Sequence, residues 1–416
     1  MRSLPLAARL VASAVASLIS ALVPQSAPLV AQAVARQTES DAYTRYELLA
    51  PGSGKFRIIY EVTATTPGAR YYFNPIRKGS VATDESVMDR ATGRPLVFDI
   101  VGSDAARAGG VRSTDSAGTY IRVALARPVP ADGGEGRVLI LKTYGDSASY
   151  FMRGDTLVFT RPLGIKRNAV VLPPGYELVS SSFPSQILEE SDGRIGISFW
   201  NDTPSEAAVT LRALPARSAG HTASSVASRL TARAHQDREI VYSLRSPETG
   251  AFDLYHDYTE SRPGTSSYLN VVRAGSSVTN PRARNLDTGE ELAHETVKGE
   301  AIRRAGLDVP DVTASTEVVV FRFPPVAAGT SIRLRMYETY TDTARYRLVG
   351  EELVWDRSFG RPANAVILPA GWMLTNSAIP AAVSTTPDGR VRLDFVNPRP
   401  DEIGVLITAR RRSATR

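Results

Sequence analysis

The sequence predicts an all-β protein, with two tandem duplicated β-sandwich-like domains after a signal peptide. Three observations favour this fold class: short apolar runs with a two-residue period, turn-forming dipeptides between the runs, and an internal repeat at one constant offset. No long stretch keeps a 3.6-residue period outside the region between the repeats and residues 104–110, so the pattern leaves no room for large helices.

Residues 1–35 have the pattern of a secretory signal peptide. Arg2 and Arg9 supply positive charge, residues 10–23 form an apolar run that is short for a membrane span, and Ala-x-Ala cleavage patterns follow. We therefore expect an exported protein, periplasmic or extracellular, with no transmembrane insertion of the mature chain. An uncleaved membrane anchor is the alternative interpretation of this segment.

The charge and cysteine content exclude several classes of protein. Cysteine is absent, which rules out disulfide scaffolds, cysteine-ligated metals and cysteine nucleophiles. The 49 basic and 43 acidic residues give a net charge of +6, but six arginines account for this excess, so the remaining chain is neutral; they lie in the leader and at the C-terminal end (Arg2, Arg9, Arg410, Arg411, Arg412 and Arg416). The high isoelectric point is therefore no argument for nucleic-acid binding, and we expect neither a nucleic-acid partner nor a cofactor.

An internal duplication organises the chain after the leader. Residues 56–101 match residues 252–297 at an offset of 196, and residues 168–175 match residues 364–371 at the same offset. About a third of the positions from Thr44 to Ala213 are identical to those 196 residues later, with no net insertion. Chance similarity does not hold one register over such a length, so we interpret the repeat as a tandem duplication.

The duplication predicts the domain boundaries. We expect copy one at residues 40–215 and copy two at residues 237–411, each long enough for its own core. Residues 216–236 are rich in Ser, Ala and Arg and are interpreted as a linker, and residues 412–416 form a basic tail.

Strand-sized runs fill each copy. Residues 137–144 of copy one and 331–340 of copy two are rich in β-branched and aromatic residues, and the second run alternates apolar and polar side chains. Such alternation puts one face of a strand on a core and the other in water. Asp192-Gly193 and similar dipeptides separate the runs and favour tight turns.

Aromatic residues that recur in both copies are the candidates for a binding surface. Tyrosines exposed along a strand could stack on sugars or on a peptide, and two copies would add avidity. The alternative is a core position with the hydroxyl at the rim of the domain. The candidate binding residues are Tyr144, Tyr150, Tyr340 and Tyr346.

Catalytic motifs are incomplete. Residues 145–148 (GDSA) resemble the nucleophile block of GDSL-type esterases, with Ser147 as nucleophile and Asp253 and His256 as an acid–base pair. The duplication replaces Ser147 by Thr343 and puts the partners on different domains, so a strand-end turn is the simpler interpretation. A metal site is not predicted either, because the His294-Glu295 pair lacks the second histidine of a zinc-protease motif.

A short segment in each copy resembles a known family. Residues 172–184, and more clearly residues 368–380 (LPAGWMLTNSAIP), are similar to a strand-and-turn segment in the N-terminal β-domain of glycyl-aminopeptidase-type metallopeptidases. The resemblance covers about a dozen residues per copy, and this sequence carries neither the helical catalytic domain nor the zinc motif of that family. It implies a non-catalytic β-module, with no functional residue to carry over.

Together these observations predict an exported, non-catalytic tandem β-sandwich protein that acts by surface binding or as an envelope interaction module. The partner is an unidentified protein or glycan of the cell envelope. One alternative is a glycan- or peptide-binding accessory protein that uses exposed aromatics. The other is a secreted serine or carboxylate hydrolase.

Overall fold

Both copies are built almost entirely of β-strands. The structure is a computed structural model that describes residues 35–112, 115–203, 205–216 and 231–412. The expected signal peptide except Ala35, most of the expected linker and all of the basic tail except Arg412 lie outside the described residues. From Ala35 onward the chain forms one compact unit.

The described part of copy one contributes one short helix, α1 (Ser103–Ala108), and fourteen strands. They are β1 (Glu39–Leu48), β2 (Lys55–Ala64), β3 (Tyr71–Ile76), β4 (Val81–Asp89), β5 (Phe98–Gly102), β6 (Thr119–Ala124), β7 (Gly136–Gly145), β8 (Tyr150–Arg153), β9 (Thr156–Leu163), β10 (Arg167–Val171), β11 (Tyr176–Ser181), β12 (Gln186–Glu189), β13 (Ile195–Trp200) and β14 (Ala207–Pro215).

The described part of copy two contributes α2 (Glu300–Arg304) and fifteen strands, after a short 3₁₀ helix at Arg233–His235. They are β15 (Glu239–Leu244), β16 (Ala251–Glu260), β17 (Ser267–Val271), β18 (Ser277–Asn285), β19 (Glu291–Leu292), β20 (His294–Lys298), β21 (Glu317–Arg322), β22 (Ile332–Thr341), β23 (Tyr346–Val349), β24 (Glu352–Phe359), β25 (Ala363–Ile367), β26 (Trp372–Ser377), β27 (Ala382–Thr385), β28 (Val391–Val396) and β29 (Ile403–Arg411).

Each copy has one wide sheet and two narrow sheets. The wide sheet has the order β12-β13-β10-β1-β2-β7-β4 in copy one and β27-β28-β25-β15-β16-β22-β18-β19 in copy two. The narrow sheets are β3-β6-β5 and β11-β14-β9-β8, with counterparts β17-β21-β20 and β26-β29-β24-β23. The all-β fold class with tandem sandwich-like copies is therefore confirmed.

Equivalent strands pair in the same register. Tyr43 lies opposite Arg167 in the parallel pair β1–β10, and Glu239 lies opposite Ala363 in the parallel pair β15–β25, at the common offset of 196. The strand β21 departs from this offset by two residues, because the loop before it is two residues longer than in copy one and the loop after it is two residues shorter.

The hydrophobic core of each copy lies between the wide sheet and the two narrow sheets. In copy one, Phe56 on β2 meets Phe159 on β9 edge-on, with ring centroids 5.7 Å apart. In copy two, Phe252 meets Trp355 in the same way at 4.9 Å. Full burial of a large apolar side chain stabilises a fold by roughly 1.5–3 kcal/mol, so these inward rows hold the layers together.

Buried charges join the two copies. The Arg137 guanidinium donates to both carboxylate oxygens of Asp287 at 2.7 and 2.8 Å, and both side chains are buried. Backbone hydrogen bonds run alongside, from Glu135 N to Leu286 O (2.8 Å) and from Ser331 N to Ala91 O (3.1 Å). A bidentate arginine–carboxylate pair is directional, so it fixes how the copies meet. Among the described residues, no helix has the length and apolar character needed to cross a membrane.

Candidate functional site

The four candidate tyrosines lie in the cores of the two copies. The exposed fraction is 2% for Tyr144, 0% for Tyr150, 5% for Tyr340 and 0% for Tyr346. Each occupies the inward register of its strand, so none presents a ring face to solvent. These four residues therefore do not form the exposed aromatic row that stacking on a glycan or peptide requires, and they lie where a shared scaffold needs them.

Two of these tyrosines tie a strand to the neighbouring turn. The Tyr150 hydroxyl donates to Leu49 O at 2.8 Å, and the equivalent Tyr346 hydroxyl donates to Arg245 O at 2.5 Å. Burial raises the pKa of both tyrosines, so both hydroxyls stay protonated as donors. Their recurrence in both copies is thus explained by the fold.

The residues of the predicted serine triad have other partners in the structure. Asp253 pairs with Arg245 at 2.7 Å, and His256 contacts the Tyr268 hydroxyl through Nδ1 at 3.4 Å. Ser147 lies on a turn of the other copy. The adjacent Asp146 accepts hydrogen bonds from the Ser149 backbone N–H and hydroxyl, as a strand-end turn would predict.

Tyr144 nevertheless lines a cavity of copy one, with a volume of about 350 Å³. The cavity lies at the junction of the three sheets, between β2 and β7 on one side and β3 and the β9–β10 loop on the other. Its apolar and aromatic lining includes Ile58, Tyr60, Tyr72 and Tyr144, and its polar lining includes Asn74, Arg77 and Lys142.

Lys142 is the unusual member of this lining. It lies on β7 in the inward row with Val138, Ile140 and Tyr144, and only 5% of it is exposed. Its Nζ donates to Asn74 Oδ1 at 2.6 Å and lies 5.0 Å from the centre of the Tyr144 ring. No carboxylate of the described residues pairs with it. Burial, reinforced by the nearby Arg161 charge, lowers the pKa of Lys142 to about 8.

The charges of the cavity are arranged by depth. Lys142 is buried, whereas the two carboxylates of the lining, Glu39 and Glu206, are exposed. The Tyr72 hydroxyl donates to Glu39 Oε2 at 2.5 Å. The guanidinium of the half-buried Arg77 donates a hydrogen bond to Pro162 O at 3.1 Å, and the backbone N–H of the same residue donates one to the Tyr144 hydroxyl at 3.2 Å. A cationic interior thus lies behind a partly anionic rim.

Arg161, a second buried cation in the cavity lining, has a carboxylate partner. The Arg161 guanidinium donates to Asp146 Oδ2 at 2.7 Å, and the equivalent Arg357 donates to Asp342 Oδ2 at 2.8 Å. Because both copies keep this buried pair, it belongs to the common scaffold and does not distinguish one copy from the other.

Copy two holds the opposite charge at the position of Lys142. Glu338 is the equivalent residue, and both of its oxygens accept from Asn270 Nδ2 at 2.6 and 2.7 Å. Asn270 also donates to the Tyr340 hydroxyl at 3.1 Å. Burial raises the pKa of Glu338 to about 7. Since the same scaffold accepts either charge, the fold itself does not require a lysine at position 142.

Lys142 is not among the residues predicted from the sequence, although the sequence carries a signal for it. Residues 138, 140, 142 and 144 share one face of a strand, so a lysine in that row is a charge directed into the core. The offset of 196 that pairs Tyr144 with Tyr340 also pairs Lys142 with Glu338 two residues earlier, and this reversal of charge is visible in the sequence.

Comparisons with known proteins show only a weak likeness. No family model and no curated protein matches the chain. Among solved structures, an M1 zinc metallopeptidase of Deinococcus radiodurans with a Tyr-Ser-Ala substrate is similar at 11% identity and a TM-score of 0.26, over 42% of this chain and 42% of that chain. The collagen adhesin of S. aureus is similar at 8% identity and a TM-score of 0.17, over 78% of this chain and 88% of that chain.

Both likenesses are weak, and the metallopeptidase match covers only part of each chain. The chain spans less than half the length of that enzyme, and scores this low carry no argument about activity, ligands or partners.

Proposed function

We propose that this is an exported, non-catalytic binding protein whose copy-one cavity takes a small ligand through a carboxylate group. The observation that carries the proposal is the buried Lys142 ammonium, which lines a cavity and has one neutral hydrogen-bond partner, Asn74. Export is supported by the leader pattern of residues 1–35.

A carboxylate is the chemical group that this position lacks. An ammonium group has three N–H donors, and Lys142 uses one of them on Asn74. The Glu85 charge favours the ammonium form, but no carboxylate of the described residues forms an ion pair with it. A buried charge without such a pair is unfavourable, and a charge-assisted hydrogen bond to a carboxylate is about twice as strong as a neutral one. A bound carboxylate would therefore gain more here than at a solvent-exposed lysine.

The lining limits the rest of the ligand. Tyr60, Tyr72 and Ile58 offer an apolar surface against which a ring or short chain packs. The exposed carboxylates of Glu39 and Glu206 repel a second negative charge at the mouth. We therefore propose a small monoanion, such as the carboxyl end of a short peptide or a single uronic acid, rather than a polyanion.

Isothermal titration calorimetry on the mature chain tests this proposal with matched pairs of probes. Benzoate, N-acetylalanine and glucuronate carry the carboxylate, whereas benzamide, N-acetylalaninamide and glucuronamide replace it by a neutral amide. We expect binding by at least one of the acids and a loss of at least about tenfold for its amide, which corresponds to one charge-assisted hydrogen bond.

Two lysine variants give the control. Lys142→Met should abolish binding of that acid, whereas Lys55→Met, at an exposed lysine of the same copy, should leave it unchanged. Equal binding of acid and amide, equal binding by wild type and Lys142→Met, or no heat from any acid would contradict the proposal.

A further inference from the structure

Three cavities meet at Trp200, where the two copies adjoin, and this groove lies apart from the Lys142 site. We propose that the groove is a second binding site, which takes a neutral saccharide. The cavities have volumes of about 550, 520 and 230 Å³, and Trp200 lines all three. Together they are large enough for several linked sugar units.

Elements of both copies form the groove. Ser198 and Trp200 point to the same side of β13, away from the core residues Ile197 and Phe199 of that strand. Arg233 of the short 3₁₀ helix and Val396 of β28 complete the first cavity. Val396 is the copy-two equivalent of Trp200 at the offset of 196, so the duplication supplies one aromatic wall and one aliphatic wall.

Two polar groups of β13 have no hydrogen-bond partner. Trp200 Nε1 and Ser198 Oγ are both buried and unpaired, and Ser198 is only 4% exposed. Unpaired buried polar atoms are unfavourable, and native proteins contain few of them. Asn364 Oδ1, which belongs to a residue lining the second cavity, is also unpaired, but so is the equivalent Asn168 Oδ1. That feature therefore belongs to the scaffold and carries no argument here.

The chemistry of these groups fits a hydroxyl-rich ligand. An indole ring gives a flat apolar face with one N–H donor, and a serine hydroxyl both donates and accepts. A sugar ring matches all three features, since it has an apolar face and hydroxyl groups that donate and accept at its edge. The charges at the rim are of both signs, with exposed Lys166 and Asp202 beside the cavities, so a neutral ligand is favoured over a strongly charged one.

Tryptophan fluorescence reports on this groove directly. The chain has three tryptophans, and Trp355 and Trp372 are 0% and 3% exposed, whereas Trp200 is partly exposed. The probes are maltohexaose, cellohexaose and N-acetylated chitohexaose, with N-acetyl-tri-alanine amide as an uncharged peptide probe. We expect at least one hexasaccharide to change the emission in a saturable way and the peptide to leave it unchanged.

Calorimetry on three variants completes the test. Trp200→Ala removes the ring and should abolish binding of that hexasaccharide, whereas Trp200→Phe keeps an aromatic face without the N–H and should weaken binding by up to about tenfold. Ser198→Ala should weaken it several-fold, and Lys142→Met should leave it unchanged, because that residue lies at the other site.

Three outcomes would overturn the proposal: no response to any hexasaccharide, a response to the peptide alone, or full binding by Trp200→Ala. Circular dichroism of each variant shows whether it is folded, and the two milder substitutions keep the test decisive where Trp200→Ala does not fold. If the hexasaccharides do not bind while the carboxylate probes still do, the groove at Trp200 is not a saccharide site and the proposal for the Lys142 cavity is unaffected.

Discussion

At the scale of single residues, the pair Lys142 and Glu338 shows how one inward strand position has come to hold opposite charges in two copies of the same scaffold. Both side chains are buried and both lack an ion-pair partner among the described residues. Burial disfavours the charged form of each group, so each lowers the stability of the fold in its charged state. A residue that destabilises its own domain is a candidate for function.

Lys142→Met should therefore raise stability while it abolishes carboxylate binding. The pKa of Lys142 falls to about 8 on folding, from its ordinary value of 10.5. At pH 7 the folded chain carries the desolvated charge, so its removal should raise the free energy of unfolding by up to about 3 kcal/mol. As the pH rises from 8 towards 10.5, the stability of the wild type should approach that of the variant, because Lys142 loses its proton in the folded state before it does so in the unfolded state.

Urea denaturation of both proteins at pH 7 and pH 9.5 measures the effect. A variant that is less stable than the wild type at pH 7 would show that the Asn74 hydrogen bond outweighs the desolvation of the ammonium.

Glu338 in copy two should give wild-type stability the opposite pH dependence, and Glu338→Gln should remove it. The pKa of Glu338 is raised to about 7 on folding, from 4.5. Between these values the folded state holds a proton that the unfolded state has lost, so wild-type stability falls as the pH rises from 4.5 to 7. The glutamine variant lacks this dependence and should be more stable than the wild type at pH 8, by up to about 3 kcal/mol.

The check is the difference between the two unfolding free energies at pH 5 and at pH 8, which cancels the titration of all other groups. A difference that stays constant with pH would contradict the assignment of this titration to Glu338.

The sequence could predict part of the sites at this scale. The aromatic repeats were visible, but alternation along a strand defines two faces without saying which one is covered, and Tyr144 and Tyr340 proved to be buried. The cavity beside Lys142 depends on Asn74, which lies on another sheet and 68 residues away. Such proximity is set by strand pairing and is not encoded in any local motif.

At the scale of secondary-structure elements, the turn after β4 lies at the junction of the two copies. Gly93 has a φ of +68°, and a Cβ atom on it would lie 2.6 Å from Gly329 O in the other copy. The equivalent Gly289 has a φ of +81°, but its Cβ would meet side chains alone: the flexible end of Arg284 at 3.3 Å, and Pro130 Cβ in ordinary van der Waals contact at 3.5 Å. The two glycines share a backbone conformation and differ in the space around them.

Gly93→Ala should therefore be more destabilising than Gly289→Ala. Both variants bear the strain of a left-handed conformation, about 1–2 kcal/mol, but Gly93→Ala also forces a backbone apart at the junction. Thermal unfolding of the two variants side by side measures the difference in melting temperature. Equal melting temperatures would show that the junction yields without loss of stability.

Much of the strand content and the repeat was predictable at the element scale. The runs at 137–144 and 331–340 became β7 and β22, since period-two alternation reports a half-buried strand. The two-residue displacement of β21 was not predictable, because compensating changes in two loops leave the net offset unchanged. The division of the second layer into two narrow sheets also depends on long-range pairing.

At the scale of the whole molecule, buried charges make the copies depend on each other. Arg137 of copy one and Asp287 of copy two form a bidentate pair with exposed fractions of 6% and 4%. Removal of one partner from a buried pair leaves an uncompensated charge and typically costs about 3–5 kcal/mol, whereas replacement of both by apolar groups is often tolerated.

Asp287→Asn should therefore lower the melting temperature markedly, and the double variant Arg137→Met with Asp287→Leu should recover part of the loss. Differential scanning calorimetry measures both effects. Asp401→Asn is the control, because its pair with Arg399 is exposed and should make no measurable contribution. If Asp287→Asn melts like the wild type, the junction does not depend on this pair.

The parallel pairing of β1 with β10 has a consequence for biogenesis. Because β1 lies between β2 and β10 in the finished sheet, a nascent chain can add the β2 side early, but the other edge waits until residues 167–171 have been synthesised. Until then β1, a central strand of the finished sheet, has one unpaired edge, and such an edge is a template for wrong pairing with other chains. Premature termination between residues 64 and 167 should therefore yield aggregating fragments, whereas release after residue 215 leaves copy one with all of its strands.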